Sequence, residues 1–182
     1  MSIFSYLFLI NRNPMKILPL LLGLMFSAFL STAQEDNCAC CTDDHKAFDF
    51  WLGTWEVTLP NGNKAGQNLI EKIQGGCVLR ENWTGANGNF TGTSYNFYNP
   101  GTGLWEQLWL DVAGTILKLK GQRTGDQMIM ESEETINEDK SVSTQRITWT
   151  LQEDGKVRQV WEVLKDGVSA QVLFDGLYSR KE

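Results

Sequence analysis

Polar side chains recur beside tryptophans at the two-residue spacing that puts them on one face of a β-strand. The set comprises Glu81 and Trp83; Trp105, Gln107, Trp109 and Asp111; and Gln159 and Trp161. On a further strand Tyr95 shares a face with Phe97. If these faces point into a cavity, its wall is aromatic and carries a few amides and carboxylates. Such a lining suits a ligand with flat apolar faces and some hydroxyl or amide groups. The competing interpretation is that the tryptophans are core residues and their polar neighbours face solvent.

Two of these carboxylates, Glu81 and Asp111, are also the best candidates for acid–base catalysis. A dry aromatic cavity raises the pKa of a carboxyl group, and two such groups close together support proton transfer in a cofactor-free isomerase, cyclase or hydrolase. The other interpretation is that each carboxylate accepts structural hydrogen bonds. A Ser-His-Asp triad is not expected, because the only histidine, His45, precedes the strands. Binding is therefore favoured over catalysis.

The four cysteines permit either disulfides or a metal site; they are Cys38, Cys40, Cys41 and Cys77. Four cysteines can pair in three ways, and the sequence does not choose among them. Three thiols and His45 lie within eight residues, but their spacing matches no ordinary zinc motif. We predict one or two disulfides that fasten the N-terminal segment, with Cys77 as a candidate partner, and no metal. A Cys-rich redox or metal module is the third functional hypothesis.

Residues 15–34 have the organisation of a secretory signal peptide. Lys16 precedes a long apolar run, and Ser31-Thr32-Ala33 supplies the small residues of a cleavage site. We expect residues 1–33 to be removed and Met15 to be the true start. An exported protein would meet an oxidising compartment, where disulfides form.

The chain after Ala33 is long enough for one domain with a hydrophobic core. We expect a cysteine-rich linker over 34–42 and a single domain over 43–182. These 149 residues carry 14 basic and 22 acidic side chains, a net charge of −8. An acidic surface of this kind argues against nucleic acid or an anionic membrane as a partner.

Beyond Gly53 the apolar pattern has a period of two, which predicts strands, and turn sequences such as PNGN, TGANGN and KDG separate them. Ten strands are expected near 54–59, 65–74, 77–83, 91–98, 104–111, 115–121, 127–133, 145–150, 157–163 and 170–179. The charged link over 134–144 is expected to be a mobile hairpin tip. Because the connections are short, neighbours should pair antiparallel, and closure into an up-and-down barrel removes exposed edges. A two-sheet sandwich is the runner-up.

A short helix is expected before the first strand. Thr42 can cap it, and Phe48, Trp51 and Leu52 form one apolar stripe at i, i+3 and i+4. Gly53 ends it. We expect this helix to close one mouth of the barrel, with its aromatic side chains facing the interior.

Gly53-Thr54-Trp55 resembles the Gly-x-Trp signature of the lipocalin and fatty-acid-binding superfamily, the calycins. In that superfamily the tryptophan packs against a basic residue of the last strand, a role that the resemblance gives to Arg180. The phrases FDFWLGTWEV, IQGGCVLRENWTG, YNPGTGLWEQLWLD and LFDGLY resemble a bacterial family of calycin-like barrels, the DUF1579 type, from Asp44 onward. This resemblance implies a fold and not an established activity. Nitrobindin, a haem-binding relative, uses a histidine near its C-terminus, and this sequence has none there, so no haem is expected.

These patterns predict an all-β protein: a single ten-stranded, calycin-like antiparallel barrel with a short N-terminal helix across one mouth. The preferred function is an exported, periplasmic or secreted binding protein. Its expected partner is a small aromatic, polycyclic or sugar-like molecule held in the barrel. No cofactor, no nucleic acid and, after leader cleavage, no membrane is expected as a partner.

Overall fold

The computed structural model describes residues 38–181, and over that range the chain forms an antiparallel β-barrel. The predicted signal peptide over 1–33, the start at Met15 and the first residues of the predicted linker lie outside the described residues. Within the described range, no helix is long and apolar enough to cross a membrane.

Eleven strands follow one another along the chain. They are β1 (Gly53–Thr58), β2 (Lys64–Ile73), β3 (Val78–Gly85), β4 (Thr91–Asn99), β5 (Leu104–Asp111), β6 (Ile116–Thr124), β7 (Gln127–Glu131), β8 (Thr135–Ile136), β9 (Val142–Leu151), β10 (Val157–Lys165) and β11 (Val168–Arg180). Ten of them pair with their neighbours in a ring, which the pairings of β9 with β10 and of β11 with β1 complete. The predicted ten-stranded up-and-down barrel is confirmed.

The strand that the sequence pattern missed is β8. Its two residues pair with Val142 and Ser143 at the start of β9, and they lie within the link that was predicted as a hairpin tip. The Asn137 amide donates to the Ser141 and Ser143 hydroxyls at 2.9 and 2.6 Å. Two residues are too few to show a period of two, so only pairing in three dimensions defines this strand.

The segment before β1 is helical, but as two short turns rather than one continuous helix. Helix α1 (Asp43–Lys46) begins at Thr42, whose side chain accepts a hydrogen bond from the His45 amide. A 3-10 turn (Asp49–Trp51) follows, and Phe48 between them has φ −105° and ψ 8°, outside the α-helical region. The predicted helical segment before β1 is thus confirmed, but it consists of α1 and a separate 3-10 turn rather than one continuous helix.

Aromatic packing fills that mouth. Phe48 and Trp51 are fully buried and stack with ring centroids 5.0 Å apart. Trp149 and Trp105 approach Phe48 edge-on, with centroids 5.1 and 5.6 Å away. Because these buried rings pack against one another, this end of the barrel is a packed core, and the cavity lies toward the other end.

Trp55 fixes the start of β1 to this core. Its indole nitrogen donates to the Trp51 carbonyl at 2.8 Å, and the side chain is fully buried. Arg180 of β11 pairs with it in the sheet and holds its guanidinium 4.5 Å from the centre of the indole ring. The guanidinium also donates to the Leu52 carbonyl at 3.0 Å, so one cation joins the first strand, the last strand and the 3-10 turn.

The N-terminal segment carries two disulfides, and one of them fastens it to the barrel, within the prediction of one or two. Cys40 pairs with Cys77 at the start of β3, and Cys38 pairs with Cys41 within the segment itself. The first bond closes a loop with a sequence separation of 37, whereas the second has a separation of 3. Only the bond to Cys77 ties the segment to the barrel.

Replacing Cys40 and Cys77 together by serine is expected to lower the free energy of unfolding by about 3–4 kcal/mol, because the open loop raises the entropy of the unfolded chain. Urea denaturation of the oxidised protein measures this loss. The matched control, Cys38→Ser with Cys41→Ser, opens a much shorter loop and should cost about half as much. Equal losses in the two double variants would contradict the loop-length argument.

Candidate functional site

A cavity of about 460 Å³ lies inside the barrel, at the end away from the 3-10 turn. Three strands that run in the same direction, β3, β5 and β10, build its wall with the same inward order of side chains. Each strand places an apolar residue beside the packed core, then a polar residue, then a tryptophan. These triplets are Leu79, Glu81 and Trp83; Trp105, Gln107 and Trp109; and Val157, Gln159 and Trp161. The cavity thus has a polar floor and an indole wall.

The structure brings six of the sequence-predicted site residues together on the cavity surface. They are Glu81, Trp83, Gln107, Trp109, Gln159 and Trp161. Trp105 lies below them and packs against Phe48, with its indole nitrogen donating to the Asp44 carbonyl at 3.0 Å. The first six therefore belong to the cavity, and Trp105 belongs to the core beneath it.

Tyr95 lies on the outer face of the barrel. It is 39% exposed, whereas its neighbours Ser94 and Asn96 are fully buried on the inner face of β4. The aromatic residues of this strand were expected to point inward. The structure instead turns the small and polar ones inward, where the cavity tryptophans need room.

Glycines make that room at two positions. A side chain at Gly92 of β4 would collide with the indole of Trp109, and one at Gly66 of β2 would collide with the indole of Trp83. Each indole therefore occupies space next to a neighbouring strand that only glycine leaves open. The two glycines are part of the site although neither has a side chain to contact a ligand.

Hydrogen bonds and ring contacts hold the cavity aromatics in place. Trp109 donates from its indole nitrogen to Asp111 at 3.1 Å, and Trp161 donates to Gln145 at 3.0 Å. Trp83 meets Phe174 edge-on, with ring centroids 5.9 Å apart. The walls are thus positioned before any ligand arrives, which lowers the entropy cost of binding.

Asp111 is a positioning residue and does not line the cavity. Its other carboxylate oxygen accepts from the Ala113 and Thr115 amides at 2.9 and 3.0 Å. Burial acts to raise the pKa of Asp111, but the hydrogen bonds from the Thr115 amide and the Trp109 indole outweigh it and lower the pKa. Asp111 is therefore ionised at neutral pH and fixes both the turn after β5 and the Trp109 ring.

Glu81 lies at the centre of the polar floor. It is 4% exposed, and its two oxygens accept from the Asn68 amide and from the Ser94 hydroxyl, each at 2.6 Å. Burial raises the pKa of Glu81 to about 7, although both hydrogen bonds act to lower it. A carboxyl group with that pKa is divided between its charged and neutral forms near neutral pH.

A network of neutral groups extends from Glu81 to either side. On one side Asn96 donates to the Ser94 hydroxyl at 2.8 Å, and Gln107 donates to Asn96 at 2.7 Å. On the other side the Tyr178 hydroxyl donates to Gln159. The floor is therefore one connected layer across the barrel, and it presents Glu81, Gln107, Gln159 and Tyr178 to the cavity.

Asn68, Ser94, Asn96 and Tyr178 are the members of this layer that the sequence analysis did not find. Burial, and secondarily the negative charge of Glu81, raises the pKa of Tyr178 well above its ordinary value, so its hydroxyl stays neutral. Asn68 donates weakly to that hydroxyl at 3.4 Å. Ser94 and Asn96 alternate with Gly92 on one face of β4, but threonines occupy the opposite face, so this pattern alone does not identify the inner face.

The two carboxylates proposed for acid–base work do not converge. Strand β4 lies between the strands that carry them, and its Ser94 pairs with Glu81 on one side and with Trp109 on the other. Asp111 is two residues further along, which places its Cα roughly 10–12 Å from that of Glu81. A mechanism that requires both carboxylates at one substrate atom is therefore not supported.

The four cysteines are all engaged in disulfides and so are not available as metal ligands. Among residues 38–181, no three His, Cys, Asp or Glu side chains are arranged to hold a metal ion.

No protein-family model matches the chain, and comparison with curated proteins finds no match. The geometry of the cavity is accordingly the basis for any functional assignment.

Proposed function

We propose that this protein binds a small organic molecule with a flat aromatic, polycyclic or sugar-like body inside the barrel, in the manner of a lipocalin. The observation that carries the proposal is one cavity with tryptophan walls and a hydrogen-bonding floor. A volume of about 460 Å³ falls in the range of small-molecule sites. Stacking on the indoles would supply affinity, and the floor would orient the ligand.

The resemblance of the FDFWLGTWEV and LFDGLY phrases to DUF1579-type calycin-like barrels implies the same barrel fold, which provides the enclosed interior that this proposal requires. That resemblance agrees with the barrel, with the buried Trp55 and with the Arg180 guanidinium over the Trp55 ring. We also propose that the protein is exported to the periplasm or the medium. Two disulfides support an oxidising compartment, in addition to the leader pattern of the sequence.

Trp109→Ala is expected to weaken binding of a flat aromatic molecule by about tenfold or more, or 1.4 kcal/mol, because it removes one stacking wall. The test is calorimetric titration with naphthol, a neutral two-ring probe that carries one hydroxyl group. The matched control is Tyr95→Ala, which removes an aromatic ring from the outer face. It should leave the affinity within about twofold.

Two results of this titration would contradict a binding site between the indoles. One is equal affinity of the wild type and Trp109→Ala for naphthol. The other is a loss in Tyr95→Ala as large as the loss in Trp109→Ala. Circular dichroism of each variant shows whether the barrel is intact, so that a folding defect is separated from a lost contact.

Catalysis in the same cavity is the second candidate, and one observation favours it. Glu81 has a pKa raised to about 7 by burial and faces the cavity, as a general acid or base would. In that case Glu81→Gln would retain a bound compound but abolish its conversion. A carrier would show no conversion of its ligand by the wild type, so product analysis after incubation separates the two functions.

A further inference from the structure

We propose that the cavity selects an organic cation, specifically an arylalkylamine whose ammonium group binds Glu81 and whose ring stacks among the tryptophans. This inference rests on the proposed binding function and names the chemical class of its ligand. It depends on the charges around the floor, on the faces of the aromatic rings, and on the distance from the floor to those rings.

The carboxylate of Glu81 has no cationic partner in the described structure. Its two hydrogen bonds come from neutral groups, Asn68 and Ser94. Within residues 38–181, none of the side chains that line the cavity is lysine, arginine or histidine. A carboxylate buried among neutral groups is costly, and a ligand that brings a positive charge relieves that cost.

The arginines nearest along these strands are engaged elsewhere. Arg80, next to Glu81 in sequence, binds Glu71 on the outside of the barrel. Arg158, next to Gln159, binds Asp175 in the same way. Because alternation turns both side chains outward, neither can neutralise the floor without a change in strand register.

Side-chain oxygens of the floor can accept further hydrogen bonds. A carboxylate offers about four lone-pair sites, and the Asn68 amide and the Ser94 hydroxyl use two of those on Glu81. An ammonium carries three donors and no acceptor, so it matches the sites that remain. Gln107 also lines the cavity, and its side-chain oxygen is a second potential acceptor.

The aromatic wall favours the same charge. Besides Tyr178 of the floor, five aromatic rings line the cavity, those of Trp83, Phe90, Trp109, Trp161 and Phe174. The faces of aromatic rings are negative and attract cations, most strongly for tryptophan. An anionic ligand such as a fatty acid would instead meet ring faces and a carboxylate, with no basic group to bind its head.

The spacing of floor and wall sets the length of the ligand. Glu81 and Trp83 are successive inward residues of β3, which places their Cα atoms about 7 Å apart along the strand. Glu81 therefore lies one short linker away from the indoles. A two-carbon linker between an ammonium group and an aromatic ring spans such a gap, which leads to the arylalkylamine class.

Three matched probes test the charge directly: naphthylethylamine, naphthylethanol and naphthylpropanoate, which are cationic, neutral and anionic versions of one shape. Calorimetric titration at pH 8 keeps the amine protonated and Glu81 ionised, since the pKa of Glu81 is about 7. Wild-type protein is expected to bind the amine at least about tenfold more tightly than the alcohol, and the anion most weakly. In Glu81→Gln the preference for the amine over the alcohol should disappear.

A matched variant separates local charge from overall charge. Glu106→Gln removes one carboxylate from the outer face of β5, where that side chain accepts from Asn99 at 2.8 Å. It should keep the wild-type preference for the amine. Both substitutions change the net charge equally, so only a carboxylate at the cavity floor explains a difference between them.

The outcomes distinguish the failure of this inference from the failure of the proposed function. If the alcohol or the anion binds wild-type protein as tightly as the amine, the cation assignment is overturned and a binding cavity remains. An amine preference that survives in Glu81→Gln overturns it as well. If no probe binds the folded wild type, the inference and the proposed function fall together.

Discussion

Trp55→Ala is expected to lower the free energy of unfolding by about 3–5 kcal/mol, the range for a large aromatic deleted from a core. The side chain is fully buried and donates to the Trp51 carbonyl at 2.8 Å. Its removal leaves that carbonyl without its partner and leaves Arg180 without the ring over which it lies. The variant therefore loses packing, one buried hydrogen bond and the cation–ring contact together.

Urea denaturation followed by circular dichroism measures this effect. The matched control is Trp161→Ala, which removes the same side chain from the cavity wall, where it is only partly buried and borders open space. That substitution should cost distinctly less stability, because fewer packing contacts are lost. If the two variants have the same stability, the division of the barrel into a packed end and a binding end is wrong.

Stability of the ligand-free protein is expected to fall by about 3 kcal/mol between pH 4.5 and pH 7 because of Glu81. Its pKa rises from the ordinary value of 4.5 to about 7 on folding. Over that interval the folded state holds a proton that the unfolded state has released, so the contribution of Glu81 to stability is greatest below pH 4.5 and declines toward pH 7. Each pKa unit corresponds to about 1.4 kcal/mol.

The comparison with Glu81→Gln isolates this effect. The variant has no group at the floor that titrates between pH 4.5 and pH 7, so the difference between the two stability curves should grow with pH across the interval and then level off. Carboxyl groups with lowered pKa, such as Asp111 and Asp175, act in the opposite direction, and they do so near and below their ordinary pKa of about 3.9. Parallel curves for the two proteins from pH 4.5 to 7 would show that Glu81 is not buried as described.

The barrel could be predicted from the sequence because its signals are local. A period of two between turn sequences marks each long strand, and short connections leave antiparallel neighbours as the simple arrangement. The segment before β1 was less predictable. The i, i+3, i+4 spacing of Phe48, Trp51 and Leu52 suits one helix, but the chain bends at Phe48. That bend lets Phe48 and Trp51 stack inside the mouth.

The cavity wall could be predicted, but the floor only in part. Alternation placed Glu81, Gln107 and Gln159 on the same faces as tryptophans, and the structure turns those faces inward. The partners of Glu81 come from β2 and β4, where polar residues occupy both faces, so alternation does not separate inside from outside. The side chains of the neighbouring strand determine which polar residues of β2 and β4 are buried. Ser94, for example, is buried opposite Glu81.

Tyr95 shows the limit of the rule that aromatic residues point inward. On β4 the inward positions are Gly92, Ser94 and Asn96, and the neighbouring strands require them to be small or polar. Gly92 makes room for the Trp109 ring, and Ser94 donates to Glu81. These demands come from the side chains of the neighbouring strands β3 and β5, so the aromatic content of β4 alone gave the opposite expectation.

Native mass spectrometry of the protein after incubation with a small-molecule extract of its source cells tests the central claim most directly. Wild-type protein is expected to retain one small organic molecule per chain, small enough for a cavity of about 460 Å³. The double variant Trp109→Ala, Trp161→Ala should lose it, and Tyr95→Ala should keep it. A wild type that retains nothing, or a molecule retained equally by all three proteins, would contradict a binding function for this barrel.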